Sequence, residues 1–167
     1  MLHIILLIDR SHSMITYTQK VINGINNFLV KLKQIQCYFS LVFFNDDRHY
    51  HYWHMPVNEI QFIKDKEYNP YGMTALYDSI DDILNNGDDE KDSNVLFIIT
   101  DGEDTMSKHT TKDDVYNKML KYKNIGRWKF LFCDTDISRL DIKEIPTIRY
   151  NIDEVDQLIS NLGSLKL

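Results

Sequence analysis

The sequence at residues 4–14 reads IILLIDRSHSM, an uninterrupted apolar run that ends in a carboxylate and two hydroxyls. Five aliphatic residues in succession, without polar alternation, predict a central strand of a parallel sheet that is covered on both faces. Asp9 falls where this strand ends, and open sheets of this kind bind ligands in the crevice at that carboxyl end. We therefore expect Asp9, Ser11 and Ser13 to present oxygen ligands at one edge of a sheet.

The composition is that of an ordinary soluble globular protein. The chain has 167 residues, 43% of them hydrophobic and 26% charged, and we expect a single domain over residues 1–167. Its net charge of -6 argues against a nucleic-acid partner, because phosphate binding needs a clustered basic surface. A metal ion, or a neutral or cationic partner, is favoured instead.

The start of the chain, the length of its apolar runs and its cysteines give weaker indications. Met1 leads almost directly into the first apolar strand, which leaves no room for a charged leader, and no apolar run reaches the roughly 20 residues of a membrane span. We expect a cytoplasmic protein without a membrane segment. Cys37 and Cys133 lie inside apolar runs, and we expect two reduced core thiols, since nothing shows a metal-ligand spacing.

Helical and strand patterns alternate along the chain. The predicted strands cover residues 4–9, 37–44, 49–57, 94–100, 128–133 and 147–150, and the predicted helices cover 14–33, 58–66, 74–86, 111–123 and 151–165. This alternation predicts an α/β fold with a doubly wound, mostly parallel central sheet and helices on both faces. The turn at 45–47 makes a hairpin of its flanking strands, so one edge strand should be antiparallel. Residues 88–92 are predicted to form an acidic, solvated linker.

Three local features are also predicted. Gly87 suits a left-handed helix end, and Thr111 and Asp114 have the spacing of a capping box. Strict alternation along strand 49–57 groups the side chains into two faces: His49, His51 and Trp53 on one, and Tyr50, Tyr52 and His54 on the other. His49 and His51, two residues apart, could hold zinc, but an aromatic, polar edge strand with no cysteine or carboxylate forced onto the same face is the preferred interpretation.

Two further segments are predicted to join Asp9 at the same edge. Asp101 follows a second continuous apolar strand, and Thr74 opens a predicted helix after the chain has returned from the far end. Each residue also has an ordinary explanation, because Ser13 and Thr74 stand where helix caps stand and Asp101 precedes a glycine in a turn. Their joint position is harder to explain as capping and turn chemistry alone.

The electrostatics of such a cluster favour a cation. Two carboxylates about 6 Å apart near a surface repel by roughly 3 kcal/mol at an effective dielectric constant of 20. A bound cation would remove this repulsion. Carboxylate and hydroxyl oxygens select Mg²⁺, Mn²⁺ or Ca²⁺ over softer metals, and a small octahedral site suits Mg²⁺.

Three motifs carry a resemblance to a known family. The D-x-S-x-S pattern at 9–13, GMTALYD at 72–78 and ITDGED at 99–104 resemble the three parts of the metal ion-dependent adhesion site (MIDAS) of von Willebrand factor type A domains, whose fold is shared with integrin I domains. The order and spacing match over nearly the whole chain, and the match fades past Cys133. His12 and Met73 stand where the family commonly has glycine, which changes the rim of the site.

The resemblance implies both the ligands and the activity. Ser11, Ser13 and Thr74 would supply hydroxyl ligands, while Asp9 and Asp101 would bind the ion directly or through water. The chain would be an intracellular metal-dependent protein-binding module, with an Asp or Glu of the partner completing the coordination of Mg²⁺. We expect no catalytic residue, no organic cofactor and no enzymatic activity.

Two alternatives stay open. A magnesium-dependent phosphatase or phosphotransferase also places a strand-end Asp beside the ion, but the dehalogenase-like class needs a second carboxylate two residues later, where this chain has Ser11. A scaffold with a structural ion, working with a chaperone-like ATPase, is the other. Acidic residues could line the rim for a basic partner, and the helix at 151–165 could shift on binding, as in larger family members. These rim residues are Glu103, Asp104, Asp134 and Asp136.

Overall fold

The computed structural model describes residues 1–87, 91–136 and 144–164. Its strands are β1 (Leu2–Asp9), β2 (Tyr38–Phe44), β3 (Arg48–Pro56), β4 (Ser93–Thr100), β5 (Trp128–Asp134) and β6 (Thr147–Arg149). They form one sheet in the order β3-β2-β1-β4-β5-β6. All neighbouring pairs are parallel except β2 and β3. The predicted architecture, mostly parallel with an antiparallel edge strand, is confirmed.

Helices cover both faces of the sheet. They are α1 (Thr18–Leu32), α2 (Leu76–Asn86), α3 (Lys112–Asn124) and α4 (Val155–Asn161). Short 3-10 turns at His12–Tyr17, Ile152–Glu154 and Leu162–Ser164 extend α1 and α4. Residue 165, the last of the predicted final helix, and residues 88–90 of the predicted linker lie outside the described residues. The linker prediction is wrong for Asp92, which is buried rather than solvated. Within the three described ranges, no helix combines the length and apolar character needed to cross a bilayer.

The continuous apolar run of β1 is explained by two separate cores. Alternate side chains of β1 enter a cluster with α1 and α4 on one face and a cluster with α2 and α3 on the other. All of Ile4–Ile8 are therefore buried, so the strand cannot show a polar alternation. Cys37, immediately before β2, and Cys133, on β5, are buried free thiols, as predicted.

The helix predicted at 58–66 is wrong. Only Val57–Glu59 form a 3-10 turn, and the chain then continues in an irregular conformation as far as α2. The side chain of Asn26 on α1 replaces the helical hydrogen bonds, since its Oδ1 accepts from Ile63 N at 2.8 Å and its Nδ2 donates to Ile63 O at 3.0 Å. The apolar spacing of Ile60 and Ile63 reflects burial under α1 rather than a helical face.

The side-chain alternation predicted for β3 fails after His51. The pairing with β2 contains two register shifts, and such bulges redirect the side chains that follow. Tyr50 and Trp53 consequently share one face, with ring centroids 4.9 Å apart, whereas Tyr52 packs on the other. His54 takes the left-handed conformation with φ 49°, and no other non-glycine in the described part of the chain has a positive φ.

Two predicted helix ends can be compared with the structure. The capping box is present: Thr111 Oγ1 accepts from Asp114 N at 3.2 Å, and Asp114 Oδ2 accepts from Thr111 N at 3.4 Å. The left-handed conformation predicted for Gly87 is wrong, because its φ is -91°. Glycine is required there by packing, since a Cβ would lie 2.9 Å from the Trp128 ring.

Candidate metal centre

Four of the five predicted ligands are joined by hydrogen bonds at the carboxyl edge of the sheet. Asp9 Oδ1 accepts from Ser11 N at 2.7 Å, and the hydroxyl oxygens of Ser11 and Ser13 lie 3.1 Å apart. Ser13 Oγ donates to Asp101 Oδ1 at 2.8 Å. The ends of β1 and β4 are thus linked through the loop after β1, and Asp9 and Asp101 enter one cluster despite the 91 residues between them.

Thr74, the fifth predicted ligand, is held at this edge by hydrogen bonds of its backbone. Thr74 is buried, its N–H donates to Thr105 Oγ1 at 3.1 Å, and its carbonyl accepts from Thr105 N at 2.8 Å. The loop before it is tied to the loop after β1, because His12 N donates to Gly72 O at 3.0 Å. The three loops that carry the predicted ligands therefore meet at one edge.

Helix capping does not explain the positions of Ser13 and Thr74. The 3-10 turn His12–Tyr17 is capped by Ser11 and α2 by Ala75, and neither of these described caps makes a side-chain capping hydrogen bond. Ser13 lies inside the 3-10 turn and uses its hydroxyl on Asp101 instead. His12, which stands where glycine is expected, does not have a positive φ, so the substitution leaves the turn unstrained.

Asp9 is a fully buried carboxylate. Burial raises its pKa to about 6, against hydrogen bonds from Ser11 and Thr100 that lower it, and the charge of Asp101 raises it further. Thr100 Oγ1 donates to Asp9 Oδ2 at 2.7 Å. Without a cation this site therefore carries a desolvated charge beside a second carboxylate, an electrostatically unfavourable arrangement that a cation relieves.

Two buried tyrosines that the sequence interpretation missed fix the strand ends. Tyr68 donates its hydroxyl to Asp9 O at 2.6 Å, and Tyr150 donates to Thr100 O at 2.9 Å. Burial raises the pKa of both phenols well above the ordinary value, with the nearby carboxylates adding to the effect. Both therefore stay neutral hydrogen-bond donors. The periodicity of their segments gives no signal, because each phenol lies outside the strands and reaches the carbonyl of a residue that ends a strand distant in sequence.

Two other missed residues position the loop that carries Thr74. Asn45 immediately follows β2. Its backbone carbonyl accepts from Ala75 N at 2.7 Å, and its side-chain Nδ2 donates to Tyr71 O at 2.9 Å. Asp46 Oδ1 accepts from Met73 N at 2.8 Å. The sequence carries a signal, since Asn45 and Asp46 directly follow a buried strand, but these residue types also predict an ordinary turn.

The proposed acidic rim is smaller than predicted. Asp134 is buried, and its carboxylate accepts from Asp136 N at 3.0 Å. Asp104 accepts from Tyr77 N at 3.0 Å and from Ser107 N at 3.1 Å. These two carboxylates therefore organise the loops around the edge. Glu103 is exposed at the rim.

The donor set fits a hard divalent cation. Every predicted ligand atom is an oxygen, two of the groups are carboxylates, and the cluster lies where three loops converge. Oxygen donors of this kind suit Mg²⁺, Mn²⁺ or Ca²⁺. Asp9, Ser11, Ser13 and Asp101 would hold such an ion together with Thr74, and the ion would supply an electrophilic centre for one more oxygen ligand.

Comparisons with known proteins identify the fold. No sequence-family model and no curated protein matches the chain. Among solved structures, a von Willebrand factor type A protein from Catenulispora acidiphila superposes with TM-score 0.66 at 13% identity, over 98% of this chain and 42% of that one. The ArnB paralog VWA2 from Sulfolobus acidocaldarius gives TM-score 0.60 at 12% identity, over 96% and 44%.

A third similar structure is proximal thread matrix protein 1 from the mussel byssus, with TM-score 0.66 at 12% identity over 96% of this chain and 44% of that one. Another structure of that protein has a zinc-occupied MIDAS motif. This chain spans less than half the length of these structures, and at such low identity the likeness concerns the backbone fold alone. The chain therefore has the Rossmann-like fold of von Willebrand factor type A domains.

Proposed function

We propose that this chain is a non-catalytic, metal-dependent protein-binding module. Mg²⁺ would bind at the Asp9–Asp101 cluster, and an Asp or Glu of a partner protein would complete its coordination. The observation that supports it most is the hydrogen-bonded series from Asp9 through Ser11 and Ser13 to Asp101. These groups already lie together at a loop-built edge, the position at which sheets of this type bind ligands.

The charge balance favours an acidic partner. Two carboxylates neutralise a doubly charged ion, while the three hydroxyl ligands add no charge. Neutral hydroxyls leave the ion more electrophilic than a cage of carboxylates would, so a carboxylate from outside is attracted to the remaining coordination position. A partner that lacks an acidic side chain at the contact would lose this interaction.

Exposed apolar side chains lie close in sequence to the hydroxyl ligands. Ile15 follows Ser13, and Tyr71 and Met73 precede Thr74, and each of these three side chains is about half exposed. Arg10 lies over the Tyr71 ring at 5.3 Å. Exposed apolar groups that border a polar centre are typical of protein-binding surfaces. The partner segment is therefore proposed to carry apolar residues beside its acidic residue.

The test is affinity capture from a lysate with and without Mg²⁺, with Asp9→Asn beside the native protein. Capture of a defined set of partners should require Mg²⁺ and should be lost with a chelator and in Asp9→Asn. Glu59→Gln removes an exposed carboxylate after β3, at the opposite edge, and should leave capture unchanged. Equal capture by Asp9→Asn, with its fold verified by circular dichroism, would overturn the proposal.

The same proteins separate the two competing functions. A structural ion would lower the melting temperature on removal, while partner affinity at a temperature well below melting would stay the same. A phosphoryl enzyme would hydrolyse a generic phosphate ester in the presence of Mg²⁺ and lose that activity in Asp9→Asn. The proposed module should have metal-dependent partner affinity and no phosphatase turnover.

A further inference from the structure

A second polar cluster lies at the opposite, amino edge of the sheet. It consists of His3 near the start of β1, His54 near the end of β3, and Asp92 immediately before β4. One ligand-type atom from each of the three side chains lies within 4.8 Å of the other two. Since β1 runs from this edge to Asp9, about six residues of strand, or roughly 20 Å, separate the cluster from the Asp9–Asp101 site.

Both ring nitrogens of His3 have hydrogen-bond partners, so a metal would replace one of these two contacts. The side chain is almost fully buried, with Nδ1 2.9 Å from Asn94 Oδ1 and Nε2 2.8 Å from Ser40 Oγ. Whichever nitrogen turns to a metal, the other keeps a buried hydrogen-bond partner that fixes the ring, as is usual around metal sites. Asn94 Nδ2 is itself buried without a partner among the described residues.

The backbone of β3 is distorted at the position that brings His54 into the cluster. His54 adopts φ 49° after the register shifts between β2 and β3, and its N–H donates to Ser40 Oγ at 2.8 Å. The two imidazole rings consequently meet edge to face with centroids 4.7 Å apart. A non-glycine in this conformation is strained, and strain of this kind concentrates at functional sites.

The third ligand is already in contact with the second. His54 Nε2 lies 2.6 Å from Asp92 Oδ2, while Asp92 Oδ1 receives the Met1 amino group at 2.9 Å. Zinc binds imidazole nitrogen and carboxylate oxygen at about 2.0–2.2 Å, so the ligand atoms of a tetrahedral site are roughly 3.4 Å apart. Side-chain movements of about 1 Å would convert the observed spacing to that geometry.

An open cavity borders the cluster. Its volume is about 330 Å³, and it is lined by His3, Trp53, His54, Asn86 and Gly87. This space admits a water molecule or a small anion as a fourth ligand. Three protein ligands with an open fourth position are the arrangement of reactive zinc sites rather than of closed structural ones.

We infer that His3, His54 and Asp92 form a binding site for Zn²⁺ or a similar transition metal, separate from the Asp9–Asp101 site and open to the cavity at the amino edge. Two imidazoles and one carboxylate favour zinc over Mg²⁺, which prefers all-oxygen sites. The ion would join β1, β3 and the segment before β4, three elements that approach one another only in the folded chain.

The test is a zinc titration by calorimetry in the Asp9→Asn background, which disables the other edge. One Zn²⁺ per chain should bind, and Co²⁺ in its place should give the intense visible absorption of tetrahedral coordination. His54→Gln should weaken zinc binding by at least about 100-fold, since even loss of a residue behind the ligands costs 10–100-fold. His49→Gln, which removes an exposed histidine of the same strand, is the matched control.

The variants are chosen so that folding does not decide the outcome. The His54 side chain is one-third exposed, and Asp92→Asn keeps the shape of the third ligand, so both variants should fold as judged by circular dichroism. Equal zinc affinity in native, His54→Gln and Asp92→Asn proteins would overturn the inference. So would the disappearance of all zinc binding in Asp9→Asn alone.

Discussion

At the scale of single residues, two buried side chains of β1 couple folding to pH in opposite directions. Burial lowers the pKa of His3 to about 4, helped by the charge of His54. Protonation of His3 at low pH therefore favours the unfolded protein. Burial raises the pKa of Asp9 to about 6, so protonation of Asp9 favours the folded protein. Each shift corresponds to about 3 kcal/mol at most. The two effects partly cancel in the native protein, and only variants separate them.

The first prediction concerns Asp9 in metal-free protein. Between its ordinary pKa of 3.8 and about 6, the folded chain binds more protons than the unfolded chain, so the stability contributed by Asp9 falls as pH rises. The free energy of unfolding of native protein minus that of Asp9→Asn should therefore decrease across this window. The measurement is urea unfolding with chelator at several pH values.

The comparison with Asp9→Asn cancels the contribution of His3, which both proteins share. Adding Mg²⁺ above about pH 6 should restore stability to the native protein and leave Asp9→Asn unchanged. A difference that rises with pH would show that Asp9 is better stabilised as a carboxylate than its burial implies.

At the scale of elements, α2 holds the loop after β4 through one carboxylate. Asp78, in the first turn of α2, accepts from Lys108 N at 2.8 Å, His109 N at 3.1 Å and Thr110 N at 2.8 Å. Burial by itself would raise the pKa of Asp78, but these backbone amides lower it below the ordinary value. The same loop reaches Thr74 through Thr105. A helix on one face thereby positions a predicted ligand at the edge.

We therefore predict that Asp78→Ala destabilises the fold by about 2–4 kcal/mol, because three backbone donors lose a charged acceptor. Metal affinity should also fall as the loop loosens. The control is Asp81→Ala on the same helix, which removes a partly exposed ion pair with Lys118 and should cost less than about 1 kcal/mol. The measurements are denaturant unfolding and Mg²⁺ titration. Equal losses in both variants would contradict this role for Asp78.

At the scale of the whole molecule, the sheet separates two kinds of chemistry. The carboxyl edge gathers oxygen donors from three loops, and the amino edge gathers two imidazoles and a carboxylate. The central strands between them are buried, and sites more than about 10 Å apart without shared partners usually behave independently.

The corresponding prediction is additivity. Mg²⁺ should raise the melting temperature of His54→Gln by as much as it does through the carboxyl edge of the native protein. Zn²⁺ should raise the melting temperature of Asp9→Asn by as much as it does through the amino edge of the native protein. The double variant should respond to neither ion. Differential scanning calorimetry with each ion and with chelator measures these shifts. A Zn²⁺ response in the double variant would locate zinc elsewhere.

Local pattern determined the sheet and much of the candidate site. Two continuous apolar runs that end in Asp9 and Asp101 predict buried parallel strands with acids at one edge, because burial on both faces is visible in composition and strand direction fixes the edge. The alternation of strands and helices predicts the doubly wound architecture for the same reason. None of this requires knowledge of which side chains meet.

Only the tertiary structure decided where segments distant in sequence replace local hydrogen bonds or shift a register. Asn26 takes over the backbone bonds that a helix near Ile63 would have made, and a bulge turns His54 toward His3. Asn26 and Ile63 are 37 residues apart, and the bulge arises between β2 and β3 but brings His54 to His3 on a different strand. The period of a sequence reports which side chains are buried, but the partner of a backbone group is set by how the elements pack.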